Sequence, residues 1–412
     1  MKNTPRKGCL FLLSLLFLFA CSRENEMENS KSAQNENFVN LSTVKEIAGG
    51  IKFEPKSNSS QTSKSSTLPI TKKIEKIDEV KNEYGLTVFY VINYVKGGYI
   101  ILSSDNRAQP IIAFSEDNKF VLDDGKDKSY PLGLKSWVEN AKRQISMIQN
   151  LNLKQEKREK LAWKEVKNIM IDAGMFEDKS VTNKRDIPNN TICYDRVVSQ
   201  TKGPFLETTW WQYNGFNDSL DYMSCSDGTK HVYAGCVPIA MAQIMKFHQY
   251  PNNYNWSAMP LTSSSATTAN FILDIHKAIS SVYPGEPYYG CLDTGVNNSK
   301  DMSTVLKTKF GYTSAQTAKY DYQVVKANLD AGRPVLLSGF NKNDLSGHQW
   351  VCDGYSALQY TFDDCTGASA LYFNMNWGWP EGRNNGYFAF NNFNPASTNY
   401  NEAIKMTYNI KP

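Results

Sequence analysis

A cysteine at the mouth of a helix is the first place in this sequence where residue type and position together imply chemistry. In Tyr233-Ala234-Gly235-Cys236-Val237-Pro238-Ile239-Ala240-Met241-Ala242-Gln243-Ile244-Met245, the residues Val237, Met241, Ile244 and Met245 recur at helical spacing and make one apolar face. Pro238 is tolerated only in a first turn, where its missing N–H has no partner to lose. Cys236 therefore opens the helix. There the positive end of the helix dipole favours thiolate over thiol, and the Cys236 N–H can point toward whatever the sulfur attacks. A small buried cysteine that starts a core helix has the same local signature.

A thiolate at neutral pH needs a base, and the chain has four histidines. His231 lies in a polar loop. His248 is about three turns along the same helix, out of reach. His276, in Asp274-Ile275-His276-Lys277, occupies an ordinary amphipathic helix position. His348 differs: it follows Gly347 and opens the strand-like Gln349-Trp350-Val351-Cys352-Asp353-Gly354, where a base is held rigidly. A third group must fix the imidazole tautomer. Asn374 and Asn376 alternate along Tyr372-Phe373-Asn374-Met375-Asn376-Trp377-Gly378-Trp379, and an amide accepting from the ring N–H suits a thiolate–imidazolium pair. Trp377 would shield that bond from water. A structural histidine and an aromatic hairpin are the plainer alternatives.

Elements must position these groups. Thr87–Tyr94 is β-branched and aromatic, Lys96-Gly97-Gly98 is a turn, and Tyr99–Ser103 returns, which predicts a hairpin followed by a third strand at Ile111–Phe114. Leu134, Trp137, Val138, Ala141, Ile145 and Ile148 predict a helix over 131–150, and a charged helical stretch is expected over about 154–174. The Ser/Thr/Lys-rich residues 54–72 read as a loop. Residues 176–200 lose periodicity and read as an exposed connector and processing site. Beyond 200, Tyr, Trp, Asn and Gly rise; one clear helix, from Cys236 to about His248, faces many short strands, an α+β pattern.

These segments together resemble the streptopain family of papain-like cysteine peptidases. The resemblance rests on Gly235-Cys236-Val237, on Ala242-Gln243-Ile244-Met245-Lys246 with Tyr250-Pro251, on Gly347-His348 with Asp353-Gly354, and on Asn376-Trp377-Gly378-Trp379. Upstream, Gly97-Gly98-Tyr99-Ile100-Ile101-Leu102-Ser103-Ser104-Asp105-Asn106 resembles that family's propeptide. The resemblance implies an α+β papain-like catalytic domain at 190–412, preceded by a small α+β propeptide domain at 38–185 that disturbs the His-bearing region until cleaved. It implies a cysteine endopeptidase made as a zymogen, with Cys236 as nucleophile, His348 as base, Asn376 orienting it and Trp377 supporting. Thr208-Thr209-Trp210-Trp211-Gln212 matches the segment whose Gln completes the oxyanion hole, which gives Gln212 that role beside the Cys236 N–H. No cofactor or metal is implied. Pro238, and Pro380-Glu381-Gly382-Arg383 after Trp379, depart from the family's pattern.

At the N-terminus, Lys2, Arg6 and Lys7 precede an apolar run from Leu10 to Ala20, which reads as a secretory signal over 1–20. Leu18-Phe19-Ala20-Cys21 resembles a lipobox, with Cys21 lipidated and 21–37 a tether; Phe19 is bulkier than that pattern usually carries, and simple secretion is the alternative. The expected location is exported and lipid-anchored at the outer membrane or cell surface. Membrane contact is expected only through that lipid. Expected partners are protein or peptide substrates and the chain's own propeptide. A net charge of +4 gives nucleic acid no footprint. Six cysteines remain beyond Cys21, without CxxC; Cys225 with Cys291, or Cys352 with Cys365, could bridge, and buried free thiols are the alternative. Two other functions stay in view. A transglutaminase-like acyltransferase would use an Asp as third member, and Asp353 and Asp363 sit in no matching motif. A catalytically silent surface lipoprotein would not need all four functional groups.

Overall fold

Strand pairing in the first half starts at Lys96-Gly97-Gly98. All three take positive φ, 68°, 91° and 98°, a region glycine enters without steric cost. A Cβ on Gly97 would lie 2.0 Å from the Asp117 carbonyl oxygen, so that position admits no other residue. The turn folds Tyr99–Ser103 back on Thr87–Tyr94, as the sequence predicts. The computed structural model describes residues 36–53, 70–123, 130–151, 153–166, 170–171, 193–291, 293–340, 347–389 and 405–412. The expected signal, Cys21 and most of the tether lie outside those residues, as do 54–69 and most of the expected connector.

From Val39 to Pro412 the chain forms one compact unit. Its elements run α1 (Leu41–Gly50), β1 (Ile74–Lys81), β2 (Thr87–Tyr94), β3 (Tyr99–Ser103), β4 (Ile111–Ser115), α2 (Leu132–Asn150) and α3 (Lys157–Glu165). They continue with β5 (Arg196–Lys202), α4 (Cys236–His248), α5 (Ala266–Val282), α6 (Met302–Phe310), β6 (Ser314–Lys319), α7 (Tyr322–Asp330), β7 (Val335–Phe340), β8 (Gly347–Thr361), β9 (Gly367–Asn376), β10 (Gly386–Ala389) and β11 (Lys405–Lys411). A single sheet joins both halves in the order β6-β11-β7-β8-β9-β10-β4-β3-β2-β1, with β5 pairing the far half of β8. The junction is short: Tyr387 pairs with Phe114 and Phe388 with Ala113.

Two cores lie on opposite faces of this sheet. Alternate residues of β8 serve different ones, as strand geometry requires. Trp350 and Cys352 join the core built with α2, where Leu134, Trp137, Val138, Ala141, Ile145 and Ile148 are all buried. Val351 joins the core of α4, α5 and α6.

Several expectations are corrected. The helix expected over 154–174 stops at Glu165, and Met170–Ile171 pairs as a short strand with Lys52–Phe53. The charge pattern persists past Glu165, but the apolar Met-Ile pair is taken up by the strand. The end of the connector, 196–200, is ordered in β5 against β8. Among its described residues the second half holds three further α-helices, α5 to α7, beside α4. Of the two cysteine pairings considered, Cys225–Cys291 forms, whereas Cys365 bonds Cys193 and Cys352 stays free and buried. Cys352 lies deep in β8 and Cys365 at the tip of the β8–β9 hairpin. At about 3.3 Å per strand residue they are roughly 30 Å apart.

Candidate active site

Gly235 sets the entry to α4. It takes φ +81°, and a Cβ there would meet the Thr294 carbonyl oxygen at 2.8 Å. The chain thus turns sharply into the helix and Cys236 becomes its first residue. The preceding Ala234 is fixed twice. Its N–H donates to the Gln212 carbonyl at 2.8 Å, which brings Gln212 beside the cysteine, and its carbonyl lies 2.8 Å from the buried His276 Nε2.

A cleft of about 730 Å³ runs over this point. Gln212, Cys236 and His348 line it, together with Trp379, Ser338, Lys405 and Thr407. Tyr130 and Pro131, the residues leading into α2, line it too. At Gly133, in the first turn of α2, a Cβ would lie 2.8 Å from both Trp350 and Trp377, so only glycine lets the helix approach that closely. The first half of the chain therefore contributes to the cleft wall.

His348 is buried, stacked on Trp350 at 5.9 Å between ring centroids and edge-on to Trp379 at 5.7 Å. Its Nε2 lies 2.9 Å from the Trp377 carbonyl. A carbonyl can only accept, so Nε2 carries the proton and Nδ1 is left as the basic nitrogen. Burial pushes the ring's pKa down to about 4, against the upward pull of the Trp377 carbonyl. The Cys236 thiol is pushed up by burial and by the charge of Asp293, while the N–H groups of Gln349, Cys236 and Val237 pull it down. Both groups are therefore neutral near pH 7. No hydrogen bond joins them in this state.

Asn376 and Trp377 sit behind the cleft wall. Asn376 is buried and faces Gln243 of α4 in a paired amide contact, at 3.0 and 3.3 Å. It also donates to the Thr208 carbonyl at 2.8 Å and accepts from the Gly378 N–H at 3.2 Å. In this closed arrangement its amide is thus engaged by α4 and not by the imidazole. Trp377 is 1% exposed, and its N–H donates to Asn385 Oδ1 at 2.8 Å. Asn385 and Asn384 are in turn held by the first half: Asn118 donates to the Asn385 carbonyl, and the Val121 N–H donates to Asn384 Oδ1 at 2.7 Å.

Comparison with known proteins identifies two regions. The peptidase C10 family matches residues 210–388, and the Spi protease inhibitor family matches residues 30–145. Residues 210–388 form a peptidase C10 region. The chain is a cysteine peptidase carrying an inhibitor module ahead of the peptidase region, a zymogen arrangement. It is similar to streptopain of Streptococcus pyogenes, 23% identical over 363 residues that cover 78% of this chain and 79% of that protein. It is also similar to the thiol protease/hemagglutinin PrtT of Porphyromonas gingivalis, 24% identical over 75% of this chain and 34% of that protein. In structure it is similar to a fragment of Prevotella intermedia prointerpain A, with TM-score 0.51 and 21% identity over 82% of this chain and 99% of that one. The expected α+β fold, with a papain-like domain after a smaller α+β domain, agrees with this likeness.

Within this peptidase, three residues near the site went unassigned in the sequence. Gln243 carried a visible signal, a polar residue inside the apolar stretch of α4. His276 holds the loop before Cys236, and Asn385 holds the backbone of Trp377; neither contact is local in sequence.

Proposed function

We propose that the chain is the zymogen of an exported cysteine endopeptidase that cleaves peptide bonds through Cys236. The observation that carries this reading is one cleft lined by a cysteine at a helix N-terminus, a histidine on the facing strand and a glutamine tied to the cysteine's own loop. After the inhibitor module leaves, His348 takes the Cys236 proton and the sulfur attacks the scissile carbonyl carbon. The Gln212 amide and the Cys236 N–H hold the resulting oxyanion; loss of one such donor typically costs on the order of 10²–10³ in rate. His348 then gives its proton to the leaving amine. Water, deprotonated by His348, opens the thioester. Asn376 orients the imidazole and Trp377 keeps water from that contact.

In the closed form the residues expected as propeptide, 38–185, act at two places. Tyr130 and Pro131 form part of the cleft wall, and Asn118 and Val121 hold Asn385 and Asn384 near Trp377. Residues 1–20 act as a lipoprotein signal, Cys21 carries the lipid, and cleavage between 176 and 200 separates propeptide from the peptidase at 190–412. Among the described residues no helix is long and apolar enough to cross a membrane.

The test is to express the precursor without its leader, with and without Cys236→Ala. The parent should be processed within 176–200 and hydrolyse casein, and the variant should remain full length and inactive. Casein hydrolysis by the Ala variant at the parent's rate overturns the assignment.

A further inference from the structure

Part of the cleft lining is cationic and polar, and its layout follows from strand register. Gln349, which follows His348, pairs with Ser338 on β7, and Ser338 pairs with Lys405 on β11. Residues directly opposite one another in antiparallel strands share a face. These three therefore form a row leading away from the catalytic pair, on the α4 side of the sheet. With neighbouring strands about 4.8 Å apart, the Lys405 Cα lies about 10 Å from that of Gln349. That is within reach of a side chain on a peptide laid along the cleft.

Among the described residues, the cation at the end of this row meets a carbonyl and no carboxylate. Lys405 Nζ donates to the Asn298 carbonyl at 2.9 Å, which anchors it and leaves two N–H groups over. Lys300, also lining the cleft, rests over the Tyr283 ring at 5.4 Å. Neither forms an ion pair among the described residues. The one carboxylate among the described residues of the lining is Asp293, whose charge acts on Cys236. The Asp301 carboxylate, next to Lys300 in the chain, is taken up by Ser303 and Thr317, so both half-buried ammonium groups can receive an incoming carboxylate.

We propose that Lys405, with Lys300 and the Ser338 hydroxyl, forms a subsite for an acidic side chain, so that this peptidase selects substrates with Glu or Asp at one position close to the scissile bond. This rests on the peptidase reading above. The experiment is a positional scan of fluorogenic peptides with the processed enzyme, followed by Lys405→Met and Lys405→Glu. At one position the parent should favour Glu over Gln by about tenfold in kcat/KM, and the ratio should shrink with added salt. Lys405→Met should bring the ratio near one, and Lys405→Glu should reverse it to favour Lys over Glu. If either variant fails to mature, the salt dependence of the parent's ratio carries the test.

A parent that cleaves peptides but favours apolar residues at every position overturns the subsite. So does a Glu preference untouched by salt or by both Lys405 variants. A parent that cleaves no peptide, or a Cys236→Ala variant that cleaves as well as the parent, overturns the peptidase reading instead.

Discussion

His348 and Cys236 are both neutral in the closed form, and the imidazole makes that state sensitive to acid. Burial holds its pKa at about 4, against about 6.5 for an exposed histidine. The open form therefore binds the proton better. The closed form keeps its full stability above about pH 6.5 and loses it as pH falls toward 4, by up to about 3 kcal/mol. Cys236 stays protonated throughout that window, since its own shift is upward. In the unprocessed Cys236→Ala variant, hydrogen exchange in the first turn of α2, corrected for intrinsic rate, should quicken between pH 6.5 and 4. His348→Gln should abolish that quickening; an unchanged slope would show that another group sets it. The position of Cys236 was legible in the sequence because Gly235 and Pro238 together leave one place for the helix to start. The partner of His348 in the closed form was not, because the Trp377 acceptor is a backbone carbonyl and carries no residue signature. His276 looked ordinary for a similar reason: its partner, the Ala234 carbonyl, lies 42 residues away.

Among the elements, hairpin β2–β3 and helix α2 could be read directly, since turn glycines and helical spacing are local properties. Helices α5 to α7 were harder. Ala266-Thr267-Thr268 opens α5 with β-branched residues that weaken its propensity. A usable signal was present in the caps, for Ser265, Asp301 and Asp321 each accept a bond from an N–H of the first turn. Disulfide pairing depends on how far apart elements end up, which spacing in sequence does not reveal. The Cys193–Cys365 bond spans 172 residues and ties the lead into β5 to the tip of hairpin β8–β9. In the chain-entropy account, closing so long a loop contributes about 5 kcal/mol. Replacing both cysteines by serine should lower the unfolding free energy of the processed enzyme by roughly 2–5 kcal/mol in a urea titration. A midpoint unmoved by the double substitution would mean that β5 is held by its backbone pairing with β8 alone.

For the molecule as a whole, the decisive feature is that one sheet runs through both functional halves, something the sequence shift near residue 200 did not suggest. Across the β4–β10 junction Phe114 stacks on Tyr387 at 4.9 Å, and Trp137 of α2 donates to the Ala389 carbonyl at 3.0 Å. Five large apolar side chains of α2 are buried, some against β7 and β8 of the other half and some against β2 of its own. None of these contacts depends on the connector. If an added protease cuts 176–192 in the Cys236→Ala variant, the two fragments should co-elute in size-exclusion chromatography and separate only in denaturant. Prompt separation in native buffer would show the seam to be weak. Scission and awakening are then different events on different clocks. The first is timed by whichever enzyme reaches the connector, the second by how fast the severed guardian peels from a sheet edge. Dilution into open medium would make that departure permanent, whereas crowding at a surface would let it return.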